Sequence, residues 1–167
     1  MNGFEKISHS EFDSVFDRIG KQWMLISASD GERANTMTAS WGGLGILWNK
    51  PVAFCFIRPQ RFTCPIAERA GRLTLSFLDE EYRKALTLCG RLSGRDVDKF
   101  KEAGLTLTYT DAGDPYPAEA SFVLVCRTLY LQEMTEDSFV DKSLLSHYEI
   151  KDYHKVFVCE IEEIWKK

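Results

Sequence analysis

The residues from Asn35 to Pro65 read NTMTASWGGLGILWNKPVAFCFIRPQRFTCP and carry most of the information about the architecture. Two runs rich in apolar and β-branched residues, 35–48 and 52–58, are separated by a break at 49–51 that ends in proline. Such runs on either side of a tight break are typical of neighbouring antiparallel strands. The stretch therefore predicts the centre of a β-meander.

Strand-like runs of the same kind lie on both sides of this stretch. They are QWMLISAS (22–29), RLTLSFL (72–78), SFVLVCRTLYLQEM (121–134) and KVFVCEIEEIW (155–165). Helical patterns are confined to residues 79–90 and 94–104 and to a short turn after Thr63. Each of these segments ends at a glycine that fits a helix stop: Gly71, Gly90 and Gly104. Because no linker divides the chain, we predict one α+β domain over residues 1–167, dominated by a six-stranded antiparallel β-barrel.

Composition excludes several classes of protein. The chain of 167 residues carries a net charge of −4, which argues against a general nucleic-acid binder. Its first residues, MNGFEKISHSEF, lack the apolar core of a signal peptide, and no apolar run approaches the roughly 18 residues of a membrane span. The five cysteines form no C-x-x-C pair and have no zinc-ligand spacing. We expect a cytoplasmic protein without a metal site, a nucleic-acid partner or a membrane contact.

The end of the second run, FIRPQRFTCP (56–65), concentrates hydrogen-bond donors. Two arginines, a glutamine and a threonine follow the strand and lead into a short helix whose first turn contains Pro65. Guanidinium groups beside backbone N–H groups at a helix start form a favourable environment for a phosphate. On these residues alone, a phosphate site and an ordinary solvated surface are equally good interpretations.

The segment TMTASWGGLG (36–45) is the second unusual feature, because three glycines fall within four positions. Glycine in a strand weakens packing and often marks a bulge or a place where the backbone approaches something closely. A flat ring is one candidate for that contact, and a corner of the barrel is the alternative. No Rossmann fingerprint, P-loop, nucleophile elbow or H-E-x-x-H motif is present, so the chemistry is expected to belong to a cofactor.

Several motifs in order resemble those of the flavin reductase-like, FMN-binding split-barrel family, close to its flavoredoxin branch. They are MTASWGGLG, LWNKPVAFCFIRPQRFT, LSF, EEYRKAL, CGRLSGRDVDKFKEAGLT and DYHKVFV. The resemblance extends from about Asn35 to the C-terminus. It implies a six-stranded split barrel that forms a homodimer and holds FMN in a cleft near the subunit interface.

The resemblance also implies roles for individual residues. The phosphate of FMN would be held by Arg58, Gln60, Arg61 and Thr63, with Lys84 as a further cation. The edge of the isoalloxazine ring would be lined by Thr38, Ala39, Ser40 and Trp41.

Three more residues have both a functional and a structural interpretation. Trp48 would flank the ring or belong to the core at the barrel end. His154 would reach the flavin as a donor or lie on the surface at the start of a strand. Cys89 would be redox-active only with a lowered pKa, and no resolving cysteine is evident.

The expected function is that of an FMN-dependent oxidoreductase that passes electrons from NAD(P)H through the flavin to an acceptor. One alternative is a non-catalytic FMN-binding electron carrier or flavin-storage dimer. Another is a pyridoxamine-phosphate-oxidase-like or haem-binding split barrel, which would have a different visible spectrum. The sequence does not separate the reductase from the carrier.

Overall fold

The computed structural model describes residues 1–167 and contains ten strands, four short α-helices and five short π or 3₁₀ segments. The strands are β1 (Glu5–Ile7), β2 (Met24–Ser29), β3 (Ala34–Ala39), β4 (Gly42–Leu47), β5 (Lys50–Ile57), β6 (Arg72–Phe77), β7 (Leu107–Tyr109), β8 (Pro115–Pro117), β9 (Phe122–Glu133) and β10 (Lys155–Lys166). The α-helices are α1 (Val15–Asp17), α2 (Thr63–Ala70), α3 (Arg83–Arg91) and α4 (Lys99–Glu102). A π turn follows α1 (Arg18–Gln22), and 3₁₀ turns span His9–Glu11, Glu80–Tyr82, Glu136–Ser138 and Lys142–Tyr148.

The connectivity of the main sheet forces it to curl. Its antiparallel strands lie in the order β3-β2-β6-β9-β10-β5-β4, with β1 added to one end of β10. In a flat sheet with strands about 4.8 Å apart, β3 and β4 would lie about 29 Å from each other. Only Ser40 and Trp41 connect them in the chain, and such a link spans at most about 11 Å. The sheet must therefore bend until its two end strands meet, as in a barrel.

The interior of this curved sheet is apolar. Its main cluster contains 22 buried residues, contributed by β2, β3, β5, β6, β9, β10 and α2, together with Phe12 and Ile19 from the N-terminal segment. A second cluster of seven buried residues lies between β2 and the helices α3 and α4. Cys55, Cys126 and Cys159 are buried in the main cluster as free thiols and act as small core residues.

The predicted class, mainly antiparallel β with a few short helices, is confirmed. The number of strands differs from six, because the run 35–48 forms two strands broken at Ser40 and Trp41. Apolar periodicity continues across that break, so the sequence alone does not reveal it. The strands β1, β7 and β8 were not predicted, since each has three residues and no clear alternation.

The helices agree with the sequence in part. Gly71 ends α2 with φ of 63°, as predicted. Gly90 is not a stop, because it lies inside α3, where a Cβ would meet Thr38 of β3 at an ordinary contact distance of 3.6 Å. The predicted helix 94–104 is reduced to α4, which begins where the Asp98 carboxylate accepts bonds from two backbone N–H groups. None of the helices has both the length and the apolar character that a membrane span needs.

Candidate functional site

A cavity of about 130 Å³ lies where β3 and β4 meet, and we call it the Trp41 cavity. It is lined by Met37, Thr38, Ala39, Ser40, Trp41, Phe56, Arg58, Arg61 and His154. The structure thus brings together the predicted segment Thr38 to Trp41, both predicted arginines and His154. The curl of the sheet brings residues 37–41 to the end of β5, and His154 lies next to Arg58 because β10 pairs with β5. Four other hollows are larger, and the only predicted residue among their linings is Lys84, in a groove on α3.

Aromatic rings form one wall of the Trp41 cavity. The indole of Trp41 lies 5.4 Å from the His154 ring and 5.5 Å from the His147 ring, measured between centroids. Phe56 contacts His154 edge-on from β5. Trp41 is 46% exposed, so its ring remains available to a ligand. A flat aromatic ligand would find stacking partners here.

His154 is held in a neutral form. It is buried, and its Nδ1 makes a hydrogen bond of 2.8 Å with the hydroxyl of Tyr148. Burial, with a smaller contribution from the charge of Arg58, lowers the pKa of His154 to about 4. The ring is therefore uncharged at neutral pH, and its Nε2 is left without a partner in the chain. It can exchange a hydrogen bond with a ligand but carries no charge of its own.

Arg58 and Gln60 both donate to the carboxylate of Asp152, which no local pattern in the sequence indicated. Asp152 Oδ2 accepts from Arg58 Nη1 at 2.5 Å and also from the Gln60 amide. A second Arg58 nitrogen donates to the His147 carbonyl at 2.9 Å. Burial alone would raise the pKa of Asp152, but the bonds from Arg58 and Gln60 outweigh it and leave that pKa below its usual value. Asp152 therefore occupies two of the donors that were predicted to bind a phosphate, Arg58 and Gln60.

Arg61 has no such partner. Its Nη2 donates to the Cys89 carbonyl at 3.2 Å, and the same oxygen accepts from Lys99 Nζ at 2.9 Å. Lys99 is only 3% exposed, and burial followed by the charge of Arg61 lowers its pKa to about 8. Neither cation meets a carboxylate, although the carbonyl lies near the negative end of α3. Two close cations with no counter-ion form an anion-binding environment.

The remaining predicted residues lie elsewhere or are already engaged. Thr63 is fully buried, and its hydroxyl accepts from the Asn35 amide at 2.8 Å. Lys84 is exposed on α3 and lines a separate groove. Cys89 is buried, which raises its pKa to about 11, so little reactive thiolate exists at neutral pH. Its backbone carbonyl, not its sulphur, contacts the cations of the site.

The glycines of β4 pack against β5, and Trp48 lies away from the Trp41 cavity. Gly42 is required in β4, because a Cβ there would lie 3.0 Å from the Phe54 carbonyl oxygen. Gly43 and Gly45 face the Phe54 ring at ordinary contact distance. Trp48 is 56% exposed and does not line the Trp41 cavity, so it is not barrel-end core.

Sequence reasoning missed Lys99 and Asp152. Asp98 marks the start of α4, which fixes the position of Lys99, but no pattern shows that this lysine turns inward. Asp152 lies 94 residues from Arg58 in the chain, and a contact of that range has no local signal.

The sequence matches the model of the flavin reductase-like domain family over residues 16–167. The chain belongs to the flavin reductase-like family. No curated protein matches its sequence significantly. Among solved structures, the FMN-binding protein from Thermus thermophilus with bound p-hydroxybenzaldehyde is similar at a TM-score of 0.70 and 20% identity, over 96% of this chain and 80% of that one.

Two further solved structures are similar to this flavin reductase-like chain. The flavoredoxin of Desulfovibrio vulgaris (Miyazaki F) has a TM-score of 0.70 and 19% identity, over 96% of this chain and 76% of that one. The NADH:FAD oxidoreductase of Streptomyces globisporus C-1027 has a TM-score of 0.67 and 16% identity, over 87% of this chain and 75% of that one. At these identities the likeness establishes the fold.

Proposed function

We propose that this chain binds FMN in the Trp41 cavity and passes electrons from NAD(P)H through that flavin to an acceptor. Membership of the flavin reductase-like family supports a flavin-binding, oxidoreductase-type role. The observation that carries the proposal is that Arg61 lines an aromatic cavity and, like the buried Lys99 with which it shares the Cys89 carbonyl, has no carboxylate partner. A phosphate and a flat ring joined in one ligand match those two features.

The donor set fits a phosphorylated flavin. Arg61 and Lys99 would bind the phosphate, and Arg58 and Gln60 would join them once Asp152 moves away. Residues 38–41 and the neutral ring of His154 would orient the isoalloxazine. When bound, FMN supplies the chemistry of accepting a hydride and releasing electrons. The protein contributes binding, orientation and exclusion of water.

The size of the cavity adds a condition to this proposal. Ligand pockets commonly enclose about 300 Å³ or more, and the Trp41 cavity has about 130 Å³. Asp152 and His147 contact the lining residues Arg58 and Trp41 at its rim. FMN would therefore occupy the cavity with part of the molecule outside it or with these two rim residues displaced.

We also propose a homodimer. The side chain of Ile46 is 74% exposed. The ring of Trp48 packs against the half-exposed ring of Tyr130, with 6.4 Å between the ring centres. These three side chains form an apolar surface next to β4, which we call the Trp48 surface. A second copy would bury it by a symmetric contact.

The five free, buried cysteines agree with our proposal of a cytoplasmic protein.

Anaerobic mixing of the FMN-loaded protein with NADH or NADPH tests the catalytic part. We expect loss of the flavin's visible absorbance with at least one nucleotide, followed by recovery when oxygen is admitted. A bound flavin that neither nucleotide bleaches would favour the electron carrier or storage protein instead. A visible spectrum without flavin bands after incubation with FMN would contradict the cofactor itself.

A further inference from the structure

Two more arginines, Arg33 and Arg95, contact the ring of Phe62. The guanidinium carbons of Arg33 and Arg95 lie 4.9 and 5.1 Å from the centre of the Phe62 ring. Both arginines are exposed, and neither forms an ion pair, although Glu32 and Asp96 are their sequence neighbours. Phe62 follows Arg61 directly, and Arg95 bonds to the Gln60 carbonyl, so both arginines contact the segment that carries Arg61.

Arg95 is fixed in place by a well-packed loop. Its Nη1 donates to the Gln60 carbonyl at 2.9 Å. The preceding residue, Gly94, is buried so closely that a Cβ would lie 2.0 Å from the Asn35 amide oxygen. Asn35 is itself held by its hydrogen bond to Thr63. Because this contact tolerates no side chain at position 94, the loop presents Arg95 in a defined position.

The charges near Phe62 exceed what one flavin phosphate would neutralise. A phosphate monoester carries about −2 at neutral pH, and Arg61 with Lys99 already matches that charge. Arg33 and Arg95 then remain unbalanced in a chain whose net charge is −4. Guanidinium groups suit a phosphate because they can donate two hydrogen bonds to it. Contact with the Phe62 ring restricts the two arginine side chains before binding, so binding costs less conformational entropy.

We propose that Arg33 and Arg95, supported by Phe62, form a second phosphate site, which binds a nucleotide phosphate other than the FMN phosphate. This proposal rests on the proposed function, because it assumes that the flavin phosphate occupies Arg61 and Lys99. Two nucleotides bring such a group to a flavin site. One is FAD, through the second phosphate of its diphosphate, and the other is NADPH, through its 2′-phosphate.

The test is a double variant, Arg33→Gln with Arg95→Gln, compared with the wild type and with a charge-matched control, Lys101→Gln with Lys166→Gln. The control residues are exposed and form no ion pair, so they remove the same net charge elsewhere. Fluorescence titration gives the affinities for FMN and FAD, and anaerobic reduction gives the half-saturating concentrations of NADH and NADPH. Thermal unfolding checks that all variants are folded.

We expect the arginine variant to bind FMN as the control does. If the second phosphate belongs to FAD, FAD affinity falls by about tenfold or more, as for the loss of one charged hydrogen bond. If it belongs to NADPH, the half-saturating concentration of NADPH rises by a similar factor while that of NADH is unchanged. The arginine variant could instead change the affinities for FMN and FAD by the same factor, and the half-saturating concentrations of NADH and NADPH by the same factor. That result would overturn the second site and leave the proposed function standing. A wild-type protein that binds no flavin would overturn the proposed function and this site together.

Discussion

At the scale of single residues, the anion site is defined by which cations have a counter-ion. Arg58 has one in Asp152, whereas Arg61 and Lys99 share a carbonyl and have none. The sequence could predict that donors gather after β5, because FIRPQRFTCP is rich in them. It could not predict which of these donors have a carboxylate partner and which do not, because Asp152 and Lys99 lie in distant parts of the chain.

Replacing Asp152 by asparagine tests this division. We expect Asp152→Asn to raise the affinity for FMN by about tenfold, because Arg58 and Gln60 lose the anion that competes with a phosphate. Asp137→Asn removes an exposed carboxylate from the same segment and serves as the control. Titration with FMN measures both variants. Weaker binding by Asp152→Asn than by the control would mean that Asp152 organises the site and does not compete for it.

His154 predicts a pH effect on stability. Its pKa is lowered to about 4 in the folded state, mainly by burial, against about 6.5 in an unfolded chain. Between these values the unfolded state takes up the proton first, so stability must decline as pH falls from about 6.5 toward 4. In His154→Gln this part of the decline should vanish, whereas His147→Gln, an exposed histidine, should keep it. Denaturant unfolding at pH 7 and pH 4.5 measures the difference, and an unchanged decline in His154→Gln would contradict the assignment.

At the scale of elements, the turn between β4 and β5 combines strain with exposure. Leu47 pairs with Lys50, and the two turn residues, Trp48 and Asn49, have φ of 52° and 57°. A two-residue turn with both φ values positive is a type I′ turn, which favours Asn-Gly. The sequence predicted the turn from its proline. It gave no sign that tryptophan would adopt a left-handed conformation, which is rarely kept without a function.

Replacing the two turn residues by Asn-Gly should change the stability of the monomer and its self-association in opposite directions. Trp48→Asn with Asn49→Gly should stabilise the monomer by about 1 kcal/mol, because the strain at position 48 is relieved. The same change should weaken self-association by about tenfold or more, because a central tryptophan leaves the Trp48 surface. Denaturant unfolding of dilute protein and sedimentation measure the two effects. A variant that associates as strongly as the wild type would remove the Trp48 surface from the proposed interface.

At the scale of the whole molecule, the fold matters because it joins the ends of one sheet. The link of two residues between β3 and β4 brings residues 38–41 to Arg58, Arg61 and His154. Periodicity was enough to predict strands and the β class, and the motifs predicted the family. The position of the link depends on the global closure of the sheet, which local patterns do not record. The site is thus a property of the closed sheet and not of any one segment.

The central claim is that a phosphorylated flavin is held through its phosphate, and comparing FMN with riboflavin tests it most directly. Riboflavin offers the same ring but nothing for Arg61 and Lys99 to bind. Each hydrogen bond to a charged group contributes about 1.5 to 3 kcal/mol, so fluorescence titration should show FMN binding at least about a hundredfold more tightly. Arg61→Gln should reduce that preference by weakening FMN alone. Equal affinities for FMN and riboflavin in the wild type would contradict the account.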